Sequence, residues 1–266
     1  MSDFSRVDPV VPVAPWVGGK HRLANRIIPR LQAIPHSCYV EPFIGMGGIF
    51  LRRPWRIKSE VINDLSTDVV NLFRVLQRHF NAFMDMLKWQ ITSREQFLRL
   101  RDQDPETLTD LERAARFLYL QRLSFGGKTD HASFGTTTTQ SARFDVLKLT
   151  SILEDVHERL SGVVIERLPY ADLIKRYDRP TTLFYLDPPY WGCEDYYGEG
   201  MFARQDFEHM ATILSAIKGR FAMSINDTPQ IRELFKTSEL VPLEVSYSLT
   251  PKAAGKKFAE LLIMNR

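Results

Sequence analysis

The chain has 266 residues, 44% of them hydrophobic and 17 of them Phe, with a formal charge of only +3. That is enough apolar material for one sizeable core carrying an inserted subdomain, and it excludes a disordered chain. A charge so close to zero also excludes a uniformly basic coat for a polyanion, so affinity for nucleic acid has to come from a local patch. The two cysteines, Cys38 and Cys193, cannot build a zinc site alone or a disulfide framework, and they fit a reducing cytoplasm. No stretch approaches a membrane span, and residues 1–6 lack the apolar centre of a signal peptide. His79, His131, His157 and His209 are not spaced as metal ligands, so no metal is expected.

In chain order, residues 10–15 (Val-Val-Pro-Val-Ala-Pro) are held extended by the restriction proline places on its predecessor. From 20 to 31, Leu23, Ile27, Ile28 and Leu31 recur at helical spacing, with Gly18-Gly19-Lys20 at the start of that helix. A lysine there is a solvated surface residue unless an anion accompanies it. Residues 37–40 read as a short strand feeding Glu41-Pro42-Phe43-Ile44-Gly45-Met46-Gly47-Gly48-Ile49-Phe50, a loop whose glycines let backbone approach a ligand. Residues 60–64 read as a second strand ending in Asp64, about 20 residues past the glycine loop, where a nucleotide fold needs an acceptor for ribose hydroxyls. Asp68 competes for that role, but its place at the start of the next helix (69–76) is explained by capping.

Residues 78–147 show helical periodicity and no clear strand, which predicts an inserted helical subdomain. Its arginines (Arg94, Arg99, Arg101, Arg113, Arg116, Arg122, Arg143) and Lys128 interleave with Trp89, Phe117, Tyr119 and Phe125, a mixture suited to phosphate contact and base stacking. Glu95, Asp102, Asp104, Glu106, Asp110 and Glu112 balance them, as on an ordinary solvated helix face. Beyond the insert, a helix over 146–160 precedes a third strand at 163–166. Then come Pro169-Tyr170-Ala171-Asp172 with a helix to 177, and the apolar strand 182–186. Residues 192–200 form an acidic, tyrosine-rich loop with three glycines that could close as a lid. A helix at 206–217, a strand at 220–225, a cap at 226–228 and strands at 241–249 and 259–264 complete the pattern. Lys252, Lys256 and Lys257 lie in a basic loop suited to a phosphate backbone.

The strand 182–186 opens into Asp187-Pro188-Pro189-Tyr190. A carboxylate, a stiff proline pair and an aromatic ring at a strand's carboxyl end can grip a flat nitrogenous ring through its exocyclic amine. Asp187 and the Pro188 carbonyl would each accept one amine hydrogen, drawing the lone pair out of ring conjugation, while Tyr190 stacks on the ring. The plain alternative is a turn, since proline presets φ and aspartate favours loops.

Together with Trp16-Val17-Gly18-Gly19-Lys20, Asn63-Asp64 and Glu260-Leu261-Leu262-Ile263, these two loops resemble the Dam-type (D12 class) DNA adenine-N6 methyltransferases, users of S-adenosylmethionine (AdoMet). The resemblance spans most of the chain and keeps the family's order. It implies a Rossmann-like α/β sheet of seven mainly parallel strands, one antiparallel near the end, with helices on both faces. Residues 1–77 and 148–266 would form the catalytic domain, and 78–147 the target-recognition insert. It implies cofactor contacts from Trp16, Lys20, Glu41, Pro42, Phe43, Gly45, Gly47, Asp64 and Asp187, with Tyr170 near the adenosine. Catalysis would fall to Asp187, Pro188, Pro189 and Tyr190, with Lys20 fixing Asp187. Arg122, Lys128, Lys252, Lys256 and Lys257 would contact double-stranded DNA. The target base must leave the stack to reach such a pocket. A cytoplasmic monomer is expected.

Two rivals stand beside this reading. One keeps the chemistry and changes the amine to cytosine N4, RNA adenine or a protein amide; Asp at 187 favours adenine, where cytosine-N4 enzymes usually carry Ser and amide and many RNA enzymes Asn. The other is a DNA-binding regulator on a dead nucleotide fold, against which the intact tetrapeptide, glycine loop and Lys20 speak. In place of the Asn-Gly and basic hairpin of the family's GATC readers stand Ser124-Phe125-Gly126-Gly127-Lys128-Thr129-Asp130-His131 and the threonines 136–139, so a target other than or broader than GATC is expected.

Overall fold

The computed structural model describes residues 4–124, 133–135, 142–193, 202–246 and 257–265. Short β-branched and aromatic runs alternate with amphipathic helices: β1 (Ser5–Arg6), α1 (Ala24–Ala33), β2 (Cys38–Glu41), β3 (Trp55–Arg56), β4 (Ser59–Asn63), α2 (Thr67–Arg78), α3 (Phe80–Leu87), α4 (Arg94–Asp102), α5 (Asp110–Leu123), α6 (Val146–Arg159), β5 (Val164–Glu166), α7 (Tyr170–Tyr177), β6 (Thr182–Leu186), α8 (Arg204–Ala216), β7 (Arg220–Asn226), α9 (Pro229–Leu234), β8 (Glu239–Ser246) and β9 (Lys257–Met264). Seven strands form one sheet in the order β5-β4-β2-β6-β7-β9-β8. The pairings from β5 to β7 are parallel, and β9 alone runs against its neighbours β7 and β8. This is the mixed α/β, Rossmann-like sheet expected from the sequence. The ribbon of β1 and β3 was not, because two-residue strands carry no periodicity to read.

Every residue of β6 is buried, as a central parallel strand covered on both faces requires. Alternate side chains enter two separate cores. Tyr39, Ile62, Leu183, Tyr185 and Leu262 join the helices α1 to α6 on one face. Val40, Val61, Phe184, Leu186, Met223 and Ile263 join α7 to α9 on the other. The insert has no core of its own among the described residues: Phe83, Phe97 and Leu118 belong to the same cluster as Ile27 and Tyr39. Outside the described residues lie the proposed lid from 194 onward and most of the segment 124–140.

Two local readings change. Residues 20–23 form turns ahead of α1, which begins at Ala24. The cap of α2 is Ser66, whose hydroxyl accepts from the Val69 amide. Asp68 sits inside the first turn, its carboxylate paired with Arg113 at 2.5 Å, so an ion pair rather than capping accounts for it.

The amino edge of the sheet holds a buried ion cluster. Glu60 on β4 accepts from Arg53 at 2.6 Å and from Arg159 at 2.6 and 2.9 Å. Arg53 lies 3.6 Å from the Tyr39 ring centroid and 4.3 Å from that of Trp55. The guanidiniums hold the Glu60 pKa below its ordinary value even though burial pushes the other way. Removing one partner of such a cluster strands the others' charge in a low dielectric. Glu60→Gln should therefore lower unfolding stability by about 3 kcal/mol or more, measured by urea denaturation, whereas a merely decorative cluster would lose under about 1 kcal/mol.

Candidate active site

Where successive connections leave one strand in opposite directions, an open α/β sheet has a crevice at its carboxyl edge. Here that point lies between β2, whose chain continues to β4, and β6, reached only after β5. The glycine loop follows β2 and the Asp-Pro-Pro-Tyr segment follows β6. A cavity of about 860 Å³ opens between them, walled by Pro15, Trp16, Phe43, Gly45, Asp64, Tyr170, Asp187 and Pro189 among others. Its size is that of a cofactor or substrate pocket.

At one end, Asp64 accepts from the amides of Gly45 and Ser66, each at 2.9 Å. Burial lifts its pKa to about 6 against backbone hydrogen bonds from Ser66, Gly45 and Leu65, and a carboxylate has more lone pairs than these donors occupy. Next to it Asn63, 1% exposed, ties the loops together. Its amide donates to the carbonyls of Pro42 and Leu168 at 2.9 and 3.0 Å and accepts from the Leu168 amide at 2.8 Å. Gly45 has φ +47, and a Cβ there would stand 2.5 Å from Trp16 Nε1, so glycine is what lets the loop approach the indole. Phe43 lies 5.7 Å from Tyr170 at 33°, giving that wall two aromatic faces.

At the other end, Lys20 is 3% exposed. Its ammonium meets Asp187 Oδ1 at 2.6 Å, the Gly18 carbonyl at 3.0 Å, the Tyr190 hydroxyl at 3.0 Å and Glu260 Oε1 at 3.5 Å. It also stands 4.7 Å from the Tyr190 ring centroid. Burial works against the charged amine, but Asp187, then Tyr190 and Glu260, outweigh it and hold the lysine pKa well above its ordinary value. Burial likewise raises Asp187 to about 6, with Lys20 opposing, so Asp187 is a carboxylate at neutral pH. Its side chain stays 23% exposed, one edge open to the cavity. Ser224 donates to Asp187 Oδ1 at 3.3 Å and shares a 2.8 Å bond with Tyr185. Asn226 clamps both backbone polar groups of Trp191, at 2.9 and 3.0 Å, fixing the exit of the Asp-Pro-Pro-Tyr segment.

The residues singled out in the sequence thus fall in two classes. Trp16, Lys20, Pro42, Phe43, Gly45, Asp64, Tyr170, Asp187 and Pro189 line one cavity. Pro188 and Tyr190 adjoin it. Glu41 lies beneath the loop, taking the Tyr39 hydroxyl at 2.6 Å, and Gly47 supports the loop at φ +74, where a Cβ would meet Leu51 at 2.9 Å. Neither forms part of the cavity wall, so their geometry supports a structural role rather than the ligand contact expected. Arg122 also departs from expectation. Its guanidinium donates to the carbonyls of Val13 at 2.6 Å and Arg143 at 2.8 Å, and Gln121 donates to that of Pro15 at 2.8 Å. These bonds strap the N-terminal segment over the cavity and give no support for a groove contact. Lys128, Lys252 and Lys256 lie outside the described residues, and only the backbone of Lys257 is described, at the start of β9. In the sequence Asn63 and Glu260 figure only as parts of motifs that carry the family resemblance, with no role assigned, and Ser224, a polar residue inside an apolar strand, is not singled out at all.

Among the described residues, no group of His, Cys, Asp and Glu is arranged to hold a metal ion, and no helix is long and apolar enough to cross a membrane. The model of the D12 class N6 adenine-specific DNA methyltransferase family matches residues 16–249. The chain is 25% identical to the type II methyltransferase M.CviBI of Paramecium bursaria Chlorella virus NC1A, covering 84% of this chain and 86% of that protein. It is 25% identical to the type II methyltransferase M1.LlaDCHI of Lactococcus lactis subsp. cremoris, covering 96% and 95%. It is 23% identical to the DNA adenine methylase of Escherichia coli K12, covering 93% and 92%.

Glu41 offers a test of the site's foundation. Burial raises its pKa from 4.5 to about 8, so the folded chain binds this proton more tightly than the unfolded one. Folding stability therefore falls as pH climbs through that interval. Glu41→Gln should raise stability at pH 8 by at least about 1 kcal/mol and change it little at pH 5, as read from denaturation curves at the two values.

Proposed function

Because the chain belongs to the D12 class N6 adenine-specific DNA methyltransferase family, we propose that its cavity holds AdoMet at the Asp64 end and a flipped-out adenine at the Asp187 end. The enzyme methylates adenine N6 in DNA. The observation that carries the assignment of ends is the single exposed edge of Asp187, fixed by a buried ammonium at the sheet's switch point.

The wall suits the cofactor. Asp64 retains acceptors for ribose hydroxyls, Phe43 and Tyr170 offer faces to a purine, and Gly45 leaves backbone clearance beside Trp16. When bound, AdoMet supplies a methyl group already activated on a sulfonium, so no side chain has to generate the electrophile. What remains for the protein is alignment and electrostatics. Asp187 and the Pro188 carbonyl accept the two amine hydrogens, turning the N6 lone pair towards the methyl carbon. Lys20 does not touch the substrate; it holds Asp187 in its rotamer and keeps it ionised. The Tyr190 ring stacks on the base. Residues 78–147 serve target recognition, and the Lys252, Lys256 and Lys257 segment meets the phosphates of double-stranded DNA. A DNA substrate supports a cytoplasmic setting, and we take the working unit as a monomer.

Asp187→Ala should leave AdoMet affinity within about tenfold and cut kcat by at least about a thousandfold, since the lost acceptor acts in the transition state. In the wild-type chain kcat/KM should fall below about pH 6, where Asp187 of the free enzyme takes up a proton and accepts less well. Asp64→Ala should weaken AdoMet binding by about 1.5–3 kcal/mol. Asp68→Ala, whose carboxylate is paired with Arg113, should weaken it by under threefold (about 0.6 kcal/mol). Calorimetry giving the reverse order would reassign the ribose end.

Target choice is tested by mapping N6-methyladenine on mixed-sequence DNA treated with the pure chain. Phosphate contacts position and base contacts specify, so the missing basic hairpin predicts modification at a motif other than or broader than GATC. Methylation confined to GATC would show that other side chains read those bases.

A further inference from the structure

Glu260 is 5% exposed and is absent from the cavity wall, yet the site's geometry converges on it. It enters from β9, opposite Asn226 at the carboxyl end of β7. Its Oε2 accepts from the Tyr190 hydroxyl at 2.7 Å. Its Oε1 accepts no hydrogen bond from any described residue and faces the Lys20 ammonium at 3.5 Å. A phenol has one proton, so these contacts fix its direction: Tyr190 donates to Glu260 and accepts from Lys20 at 3.0 Å. Asp187 Oδ1 is the nearest other strong acceptor on the same ammonium. Without Glu260, the Tyr190 proton and the Lys20 charge both turn to Asp187, and the carboxylate is drawn from the amine it has to hold.

We propose that Glu260 is a positioning residue for methyl transfer: it binds the Tyr190 hydroxyl and shares the Lys20 charge, which fixes the stacking ring and leaves the free edge of Asp187 to the adenine amine. The proposal rests on the assignment of adenine to the Asp187 end. It requires a carboxylate or an isosteric acceptor at 260, although nothing there touches substrate or cofactor.

Glu260→Ala should lower kcat about 30- to 100-fold with AdoMet Kd within about threefold, the pattern of an interaction felt in the transition state. Glu260→Gln, which keeps an acceptor for Tyr190, should recover kcat to within about fivefold of wild type. Its acid limb should also move to lower pH by at least about half a unit, because a negative charge facing Asp187 is gone while Lys20, Tyr190, Tyr185 and Glu41 remain. Tyr190→Phe combined with Glu260→Ala should cost little more than the worse single change, because both remove the same contact.

Wild-type kcat in Glu260→Ala, losses that multiply in the double variant, or an unmoved acid limb in Glu260→Gln would each overturn the proposal. Should Glu260→Ala fail to fold, the Glu260→Gln profile decides. Failure of the underlying assignment looks different: wild-type protein would then leave adenine N6 unmodified.

Discussion

An ammonium ion buried to 3% exposure is tolerable only where carboxylates surround it, and the architecture around Lys20 meets that condition from separate parts of the chain. Asp187 arrives at the end of β6, Glu260 on β9, and the Tyr190 hydroxyl links Lys20 to Glu260. The ion pair thereby fixes three elements against one another at the carboxyl edge of the sheet. Burial pushes the Asp187 pKa up to about 6 while Lys20 opposes it, so Asp187 stays ionised at neutral pH with one edge free. Fold stability and the ionisation of the proposed amine acceptor thus share one charge.

The sheet supplies the frame for that charge. Alternate residues of β2, β4 and β6 enter opposite cores, so a one-residue register slip would exchange their side chains between the two cores and break the packing of both. The same rigidity delivers the glycine loop and the Asp-Pro-Pro-Tyr segment to one crevice. Asparagines at the ends of β4 and β7, Asn63 and Asn226, each hold a neighbouring backbone by both its donor and its acceptor. They convert strand ends into fixed loop geometry. The N-terminal strap is held differently, by side chains from the end of α5.

Much of this was legible in the residues, for identifiable reasons. The central strands read as short continuous apolar runs because both faces are covered, and the two loops carry side chains that only a ligand site concentrates. Lys20, Asp64 and Asp187 lie in segments with a local signature. What stayed hidden depends on contacts between distant segments. Ser224 looks like an isolated polar residue in a strand, and Glu260 opens a family motif without a stated role, until the sheet order sets them beside Asp187 and Tyr190. Arg122 reads as a DNA contact, and nothing in the sequence shows that α5 brings it against Val13. Asp68 looked like a cap because sequence places it near a helix start, but it cannot show that Ser66 already caps α2 or that Arg113 lies opposite.

The reversal of β9 gives the site a history as well as a shape. Only an antiparallel last strand can begin, rather than end, at the edge where β6 and β7 finish, and Glu260 lies near that beginning. Lys20 therefore waits, while the strands in between are made, for one of its counter-charges. A nascent chain can assemble β2, β4 and β6 and even bring Asp187 to the lysine, but the Tyr190 hydroxyl has no acceptor on Glu260 until β9 has left the ribosome and slotted between β7 and β8. Closing so long a loop is the slow, entropically costly kind of contact, so the anchor of the Tyr190 hydroxyl is the one that depends on the most distant segment.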